Sequence, residues 1–290
     1  MKFLVLGAGG MAGHVMAVYL AERGHSVTAL SRNPFPWGAC RCLQGDVKDM
    51  SFLGGVLAAG CFDAAVNCVG VLNQDAERER GLAVRLNSLL PHALAELTRG
   101  TGTKVVQIST DCVFSGAAGG YREDARRDGT AFYDRTKALG ELENDKDLTF
   151  RTSLVGPDVN PDGIGLFNWF MRQRGSVKGY TRAIWTGVTT DVLAQAVERA
   201  VDCGLTGLYH LVNDEPISKF DLLGLFNEHF RGGELNITPE PSVAVDKSLV
   251  NTRTDFSFTV PSYGAMVEGM KKWTSAHADL YPHYSTGVTP

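Results

Sequence analysis

The chain has 290 residues, of which 44% are hydrophobic and 21% charged, and a formal net charge of −4. That length buries a large core as one big domain or two unequal ones. The mildly acidic balance excludes the broad positive field that a nucleic acid or an anionic membrane would need, so a small molecule is the expected partner. No apolar run approaches the ~20 residues that cross a bilayer, and MKFLVLGAGG is too short for a signal peptide and lacks a cleavage site. The expected location is the cytoplasm. The six cysteines are scattered, and Cys40 and Cys42 are too isolated from further ligands to suggest zinc, so no metal site is expected.

Taken in chain order, FLVLGA reads as a strand, followed by a helix to Arg23, the strand SVTALS, a short strand at RCLQG, a helix around Phe52 to Ala59, and the strand AAVNCVG. A long helix is expected from about Ala76 to Arg99, then the strand VVQIST, a helix around Tyr133 to Glu143, and TFRTSLVG. Such alternation predicts a Rossmann-like, doubly wound α/β fold with a parallel sheet. The second half is less regular. TTDVLAQAVERAVDCG is an amphipathic helix, LYHLV a strand, ISKFDLLGLFNEHFRGG a helix capped by Ser218, and PSYGAMVEGMKKW a last helix before a tail, from about His277, expected to fray. The expected division is a nucleotide-binding domain over 1–155 and a smaller α/β substrate-binding region over 156–290, with segments around 180–212 returning to the first.

The segment LVLGAGGMAGH places Gly7, Gly10 and Gly13 between the first strand and its helix. There Gly7 allows a tight turn, Gly10 lets the backbone approach a pyrophosphate, and Gly13 permits close helix-to-strand packing. The helix N-terminus adds free N–H groups and partial positive charge for the anion. At the end of the second strand stand Ser31 and Arg32, where an NAD site carries an acidic residue. Those groups suit a 2′-phosphate; a solvated loop charge is the competing reading of Arg32. Asp46, after the short third strand, is placed to accept from an adenine amino group, although a helix cap at Asp46 or Asp49 fits the residues almost as well.

Tyr133 and Lys137 in FYDRTKALGE share one face of their helix. A free phenol ionises near ~10, and a nearby ammonium would lower that value, making Tyr133 an acid or base at neutral pH.

The order of GAGGMAG, VNCVG, ISTDCVFSG and YDRTK resembles the extended short-chain dehydrogenase/reductase family, and STDxVF is most similar to its sugar-nucleotide reductase branch, the dTDP-4-dehydrorhamnose reductases. The resemblance implies a catalytic triad: Thr110 bonding the substrate oxygen, Tyr133 donating the proton, and Lys137 holding the nicotinamide ribose and tuning Tyr133. It also implies that Gly7, Gly10, Met11 and Gly13 surround the pyrophosphate, that Asp46 and Val47 lie near adenine, and that Cys68, Val69 and Gly70 line the cofactor cleft. Asn87 would sit beside the site on the long helix. Asp111, as a turn-former, Val113 and Phe114 are assigned to the substrate side. Departures from the branch are Cys112, Asp134 and Leu154, where Tyr, Gly and Trp are usual. Leu154 borders the sugar pocket in that branch, which leaves the sugar open.

For the far end of the substrate, GLFNWFMRQRG, KGYTRAIWTGVTT and DKSLVNTR interleave aromatics with cations. Trp169, Trp185 and Arg253 are the candidates to stack a base and pair a diphosphate, with Tyr180, Arg172, Arg174, Arg182 and Lys247 nearby; core aromatics and solvated cations are the plain alternative.

The resemblance as a whole implies an oxidoreductase of deoxysugar biosynthesis, NADPH-dependent with NAD also admitted, that reduces the 4-keto group of a nucleotide-linked 6-deoxysugar. A homodimer is an assembly the resemblance admits. Two alternatives share the fold: a sugar-nucleotide epimerase, and a non-catalytic NADP-binding regulatory subunit resembling the partner of methionine adenosyltransferase. A dehydratase is disfavoured, because its usual acidic pair is reduced here to Asp111.

Overall fold

The computed structural model describes residues 1–34, 40–213 and 215–284. Its first half runs β1 (Lys2–Leu6), α1 (Met11–Glu22), β2 (Ser26–Ser31), β3 (Arg41–Gln44), α2 (Met50–Gly60) and β4 (Ala64–Asn67). There follow α3 (Asn73–Arg78), α4 (Arg80–Ala83), a π-helical turn (Val84–Leu89), α5 (Leu90–Leu97), β5 (Lys104–Thr110), α6 (Phe132–Leu139) and β6 (Leu148–Thr152). The second half holds β7 (Leu154–Val155), α7 (Leu166–Met171), β8 (Ser176–Trp185), β9 (Val188–Thr189), α8 (Thr190–Asp202), β10 (Gly207–His210), β11 (Ile217–Ser218), α9 (Lys219–Arg231), β12 (Asn236–Asp246) and α10 (Tyr263–Ala276).

Among the described residues, seven strands form one sheet in the order β10-β6-β5-β4-β1-β2-β3. Every pairing in it is parallel. Both faces are covered, which is why the central strands read as unbroken apolar runs rather than alternating ones. On one face Phe3, Val5, Val66 and Phe150 pack with residues of α1 and α8; on the other Leu4, Leu6, Ala65 and Val105 pack with those of α2 and α5. Strand order reverses between β1 and β4, and the carboxyl ends of the strands at such a switch point are where open α/β sheets bind ligands. A three-stranded sheet, β11-β8-β12, forms the smaller region with α7, α9 and α10 over an aromatic core of Phe167, Phe170 and Phe226. From the stretch 180–212, residues 180–185 run in this small sheet, α8 lies against α1, and β10 is the edge strand of the large sheet. No helix among the described residues is long and apolar enough to cross a membrane.

Two expectations are corrected. The helix from Ala76 to Arg99 is broken into four pieces. Pro91 supplies part of the reason: it has no N–H to give the carbonyl of Asn87, one α-turn earlier. That freed carbonyl lies where Gly140 approaches, so closely that a Cβ on Gly140 would stand 1.9 Å from it. The same contact ends α6 at Leu139, short of the expected Glu143. The tail from His277 is not frayed through Tyr284: two short 3₁₀ turns hold it down, and Tyr281 is buried. Residues 285–290, the remainder of that expectation, lie outside the described residues.

Behind the carboxyl end of β5 lies a buried ion pair. Arg151 and Glu141 meet at 2.7 Å with their side chains 0% and 1% exposed. Ser109 Oγ donates to Glu141 at 2.6 Å, Arg127 pairs with the same carboxylate, and Arg151 Nη1 donates to His210 Nε2 at 2.8 Å. Burial pushes His210 down to about 4, so its ring stays neutral and accepts that bond. Removing one partner leaves an uncompensated buried charge. Glu141→Gln is therefore expected to lower unfolding free energy by about 3 kcal/mol or more in urea titrations at pH 7, whereas a loss below about 1 kcal/mol would show the pair to be energetically idle.

Candidate active site

The glycine loop between β1 and α1 is built for close approach. Gly7 has φ +78°, and a Cβ on it would lie 3.0 Å from Val69 Cγ2 and 3.2 Å from the Cys68 carbonyl carbon. A Cβ on Gly13 would stand 2.1 Å from the Gly7 oxygen, a distance no side chain tolerates. Gly10, the N-cap of α1, offers no capping side chain, and the first turn has no acidic residue, so its N–H groups are left to an anion. The residues present thus fit a dinucleotide pyrophosphate.

At the adenosine end, Ser31 Oγ donates to the Asn33 carbonyl at 2.6 Å, and Arg32 is exposed. The Asp46 carboxylate is held below its ordinary range, first by the Lys48 N–H and then by the Lys48 and Arg32 charges. Asp49, not Asp46, caps α2, accepting from Phe52 N at 2.9 Å. Asp46 accepts instead from Lys48 N at 2.9 Å and pairs with the Lys48 ammonium at 3.1 Å, while the neighbouring Val47 side chain is buried.

The catalytic candidates meet where α6 crosses the end of β5. Lys137 Nζ donates to the Ile108 carbonyl at 2.6 Å. The Tyr133 phenol faces the hydroxyl of Thr110, which ends β5. Thr110 Oγ1 accepts from Cys112 N at 3.1 Å and lies 3.2 Å from Asp111 Oδ1, to which it donates. Lys137 also interacts with Cys68, the residue against which Gly7 packs, so the triad and the glycine cradle adjoin.

The electrostatics differ from the expectation that Lys137 lowers the Tyr133 value. Burial raises the Tyr133 phenol, with further contributions from Cys112, Asp111 and Asp134, and burial lowers Lys137 to about 8. Desolvation moves the phenol further from ionisation, and it keeps its proton at neutral pH.

Two lysines from the second half converge on the turn that follows Thr110. Lys219, the first residue of α9, has its ammonium 4.9 Å from the Trp185 ring centre and interacts with Asp111 and Cys112. Lys247, despite partial burial, is held above its ordinary value by Cys112, Asp134 and Asp111. Burial raises Asp111, and the two lysines oppose that rise. Asp134, where the family usually has Gly, accepts from Ala131 N at 3.1 Å and so helps start α6. Lys219 escaped the sequence reading because a lysine looks solvated there. The available signal was its position, a cation at a helix N-terminus, where the dipole disfavours it.

Several candidates are not brought to the cleft. Val113 and Phe114 are buried with Tyr121, Val212 and Leu249, and Phe114 stacks on Tyr121 at 4.2 Å. Trp185 is 2% exposed, part of the aromatic core and reaching the site only as the floor beneath Lys219. Arg253 donates to the Thr206 and Leu208 carbonyls at 2.7 and 2.9 Å and pairs with Asp255, which ties it to the start of β10, away from the carboxyl end of the sheet. Asn87 has no exposed surface: its amide accepts from Val71 N and donates to Val71 O and Thr136 Oγ1, so it positions the Gly70–Val71 loop against α6. Trp169 is surface-exposed on α7. Arg172 and Arg174 donate to local carbonyls.

A parallel sheet with a glycine cradle at its switch point, and a Thr, Tyr and Lys grouped at the end of β5, defines an extended short-chain dehydrogenase/reductase. The chain belongs to the family described as RmlD substrate binding domain, whose model matches residues 1–250. It is 28% identical to the dTDP-4-dehydrorhamnose reductase of Streptomyces griseus over 301 residues, covering 97% of this chain and 93% of that one. Among solved structures, it resembles the Bacillus anthracis dTDP-4-dehydrorhamnose reductase in complex with NADP, with a TM-score of 0.78 and 21% identity over 94% of this chain and 99% of that one. The UDP-glucose 4-epimerase of Thermotoga maritima shares the fold equally well, with a TM-score of 0.78 and 16% identity over 96% of this chain and all of the other.

Buried Lys137 and Lys219 both fall to about 8 from 10.5. The unfolded chain then binds more protons between those values, so stability rises with pH across that window and is lowest below it. Lys137→Met and Lys219→Met should each remove up to about one proton from the slope and raise stability at pH 7. Urea unfolding from pH 7 to 10 measures this; slopes identical to wild type would show that neither ammonium is desolvated.

Proposed function

We propose that the protein is an NADPH-dependent reductase of the 4-keto group of a nucleotide-linked 6-deoxysugar. The observation that carries this reading is the grouping of the buried Tyr133 phenol with Thr110 at the end of β5, one helical turn from Lys137, whose ammonium is anchored on the Ile108 carbonyl of the same strand. Reduction needs an acid at the carbonyl oxygen, and the Tyr133 phenol carries its proton at neutral pH. Bound NADPH would supply the hydride. Thr110 would hold the same oxygen with its hydroxyl once that proton turns from Asp111. As Tyr133 gives up its proton, the charge on its oxygen is stabilised by the ammonium of Lys137, which the low-dielectric surroundings strengthen. The names of the relatives, dTDP-4-dehydrorhamnose reductases, support the substrate class. Ser31 and Arg32, together with the NADP held by the Bacillus anthracis structure, support the cofactor.

In this reading residues 1–155, joined by α8 and β10, bind the dinucleotide. The small sheet, α7 and the loop before it receive the nucleotide sugar, with Trp169 at its surface and Lys219 and Lys247 beside the reacting end. The enzyme is assigned to the cytoplasm, the compartment expected from its sequence, as a homodimer, the assembly the resemblance admits.

Tyr133→Phe keeps the ring and its packing with Val71, Ala76 and Ala83. Turnover of a 4-keto-6-deoxy sugar nucleotide, followed by NADPH absorbance, should fall by about 10² to 10⁴ while NADPH affinity is retained. Full activity in that variant removes Tyr133 as the acid. A wild-type protein that binds NADPH but reduces no member of a panel of 4-keto sugar nucleotides points instead to the regulatory alternative. Arg32→Ala should weaken NADPH by about tenfold and leave NADH nearly unchanged; equal losses in a binding titration would reject the 2′-phosphate contact.

A further inference from the structure

The segment after α10 runs across α1 instead of leaving the surface. It begins with His277, whose Nε2 lies 2.8 Å from Glu22 Oε1 at the far end of α1. It continues to Tyr281, whose hydroxyl lies 2.7 Å from His14 Nε2. His14 follows the glycine cradle directly, and its Nδ1 lies 2.9 Å from the carbonyl of Gly10.

The donors in this cluster are fixed by chemistry. A carbonyl can only accept, so the His14 proton sits on Nδ1. The Nε2 of the neutral ring then accepts from the Tyr281 hydroxyl. Trp273 Nε1, a donor only, gives its hydrogen to the same hydroxyl oxygen at 2.9 Å. One phenol thus joins the phosphate loop, through His14, to α10, through Trp273.

The next aromatic carries the chain of contacts to the loop that follows β7. Tyr284 stacks on Tyr281 with ring centres 5.7 Å apart. Its hydroxyl accepts from Asp158 N at 2.9 Å and donates to Asn168 Oδ1 at 2.9 Å. Asn168 in turn donates to the carbonyls of Asn160, Pro161 and Gly163 at 3.2, 3.1 and 2.7 Å. These residues form the loop that leaves β7 at the carboxyl end of the sheet. That loop ends on the phosphate loop itself, since a Cβ on Gly165 would lie 3.0 Å from Met11 Sδ.

We propose that residues 277–284 form a positioning strap, in which Tyr281 orders the dinucleotide phosphate loop, Tyr284 orders the 158–165 loop on the nucleotide-sugar side, and their stacking couples the two binding events. The binding half rests on the cofactor reading given above. Both loops must be ordered before their backbone groups can grip a phosphate or a sugar, and the strap does this ahead of binding. A ligand that tightens one loop tightens the strap, and so lowers the ordering cost for the other ligand. The coupling must act equally in both directions.

Tyr281→Phe and Tyr284→Phe each delete one hydroxyl and keep the ring. The test combines backbone hydrogen exchange on the free protein with titrations of NADPH and thymidine diphosphate, separately and together. In Tyr281→Phe the amides of residues 10–14 should exchange at least several-fold faster, NADPH should bind about five- to tenfold more weakly, and the KM for NADPH should change more than kcat. In Tyr284→Phe the amides of residues 158–165 should respond, with a larger loss for thymidine diphosphate than for NADPH. Wild type should bind each ligand more tightly in the presence of the other, and both variants should lose that gain. Exchange and affinities equal to wild type in both variants, whether or not their melting temperatures fall, would reduce the strap to a structural prop and overturn the proposal. Faster loop exchange in variants of a protein that binds no NADPH even as wild type would overturn the binding half through the cofactor reading, not through the strap.

Discussion

The site depends on a lysine ammonium placed inside the protein. Lys137 gives a hydrogen to the carbonyl of Ile108, two residues before Thr110, and thereby fastens α6 across the end of β5. That bond fixes the height of α6 along the strand, and with it the position of Tyr133 one turn earlier on the same face. Desolvation makes the placement costly, so the surroundings must hold the helix independently. They do so through Asn87 and Ser88, which grip Thr136 from the π-helical turn, and through Gly140, which seats against the Asn87 carbonyl. A π-helical turn at this point fits the tendency of such turns to occur at functional sites. Here it lies just before Pro91, and its Asn87 carbonyl meets Gly140.

The same desolvation sets the chemistry. In water a lysine beside a tyrosine would favour the phenolate. Within the protein the phenol is raised and the ammonium lowered, which moves Tyr133 further from the phenolate. That arrangement suits a reductase, whose acid must be loaded before the carbonyl arrives. It also shows why residue types alone misjudge direction: whether an ammonium or its surroundings wins depends on how much water reaches the pair, and that is decided by Val71, Ala76 and Ala83, which pack around the ring.

The alternation of strands and helices, the glycine spacing and the cap at Ser218 are legible because each is local: a period, a spacing, a side chain bonding its own backbone. Val113, Phe114 and Trp185 were misjudged for the opposite reason. Following Thr110, or lying among arginines, they look like cleft residues, yet burial is a property of what packs against them: Tyr121, Leu249 and the α9 core. Arg253 had the charge for a diphosphate and the wrong end of the sheet. Lys219 lies over Trp185 near Asp111 and Cys112, in a sequence context that looks solvated.

The tail carries the same lesson to the edge of the site. Two prolines and polar residues after a last helix suggest fraying, because no periodic apolar pattern continues. What holds residues 277–284 is instead a set of single hydroxyls and ring nitrogens, each matched to one partner far away in sequence. Such bonds leave no period to detect. They are also directional, unlike an apolar face, which would allow the segment to slide along α1. A tail held by hydroxyls can therefore register two loops against each other, as a crevice between a dinucleotide and a nucleotide sugar requires.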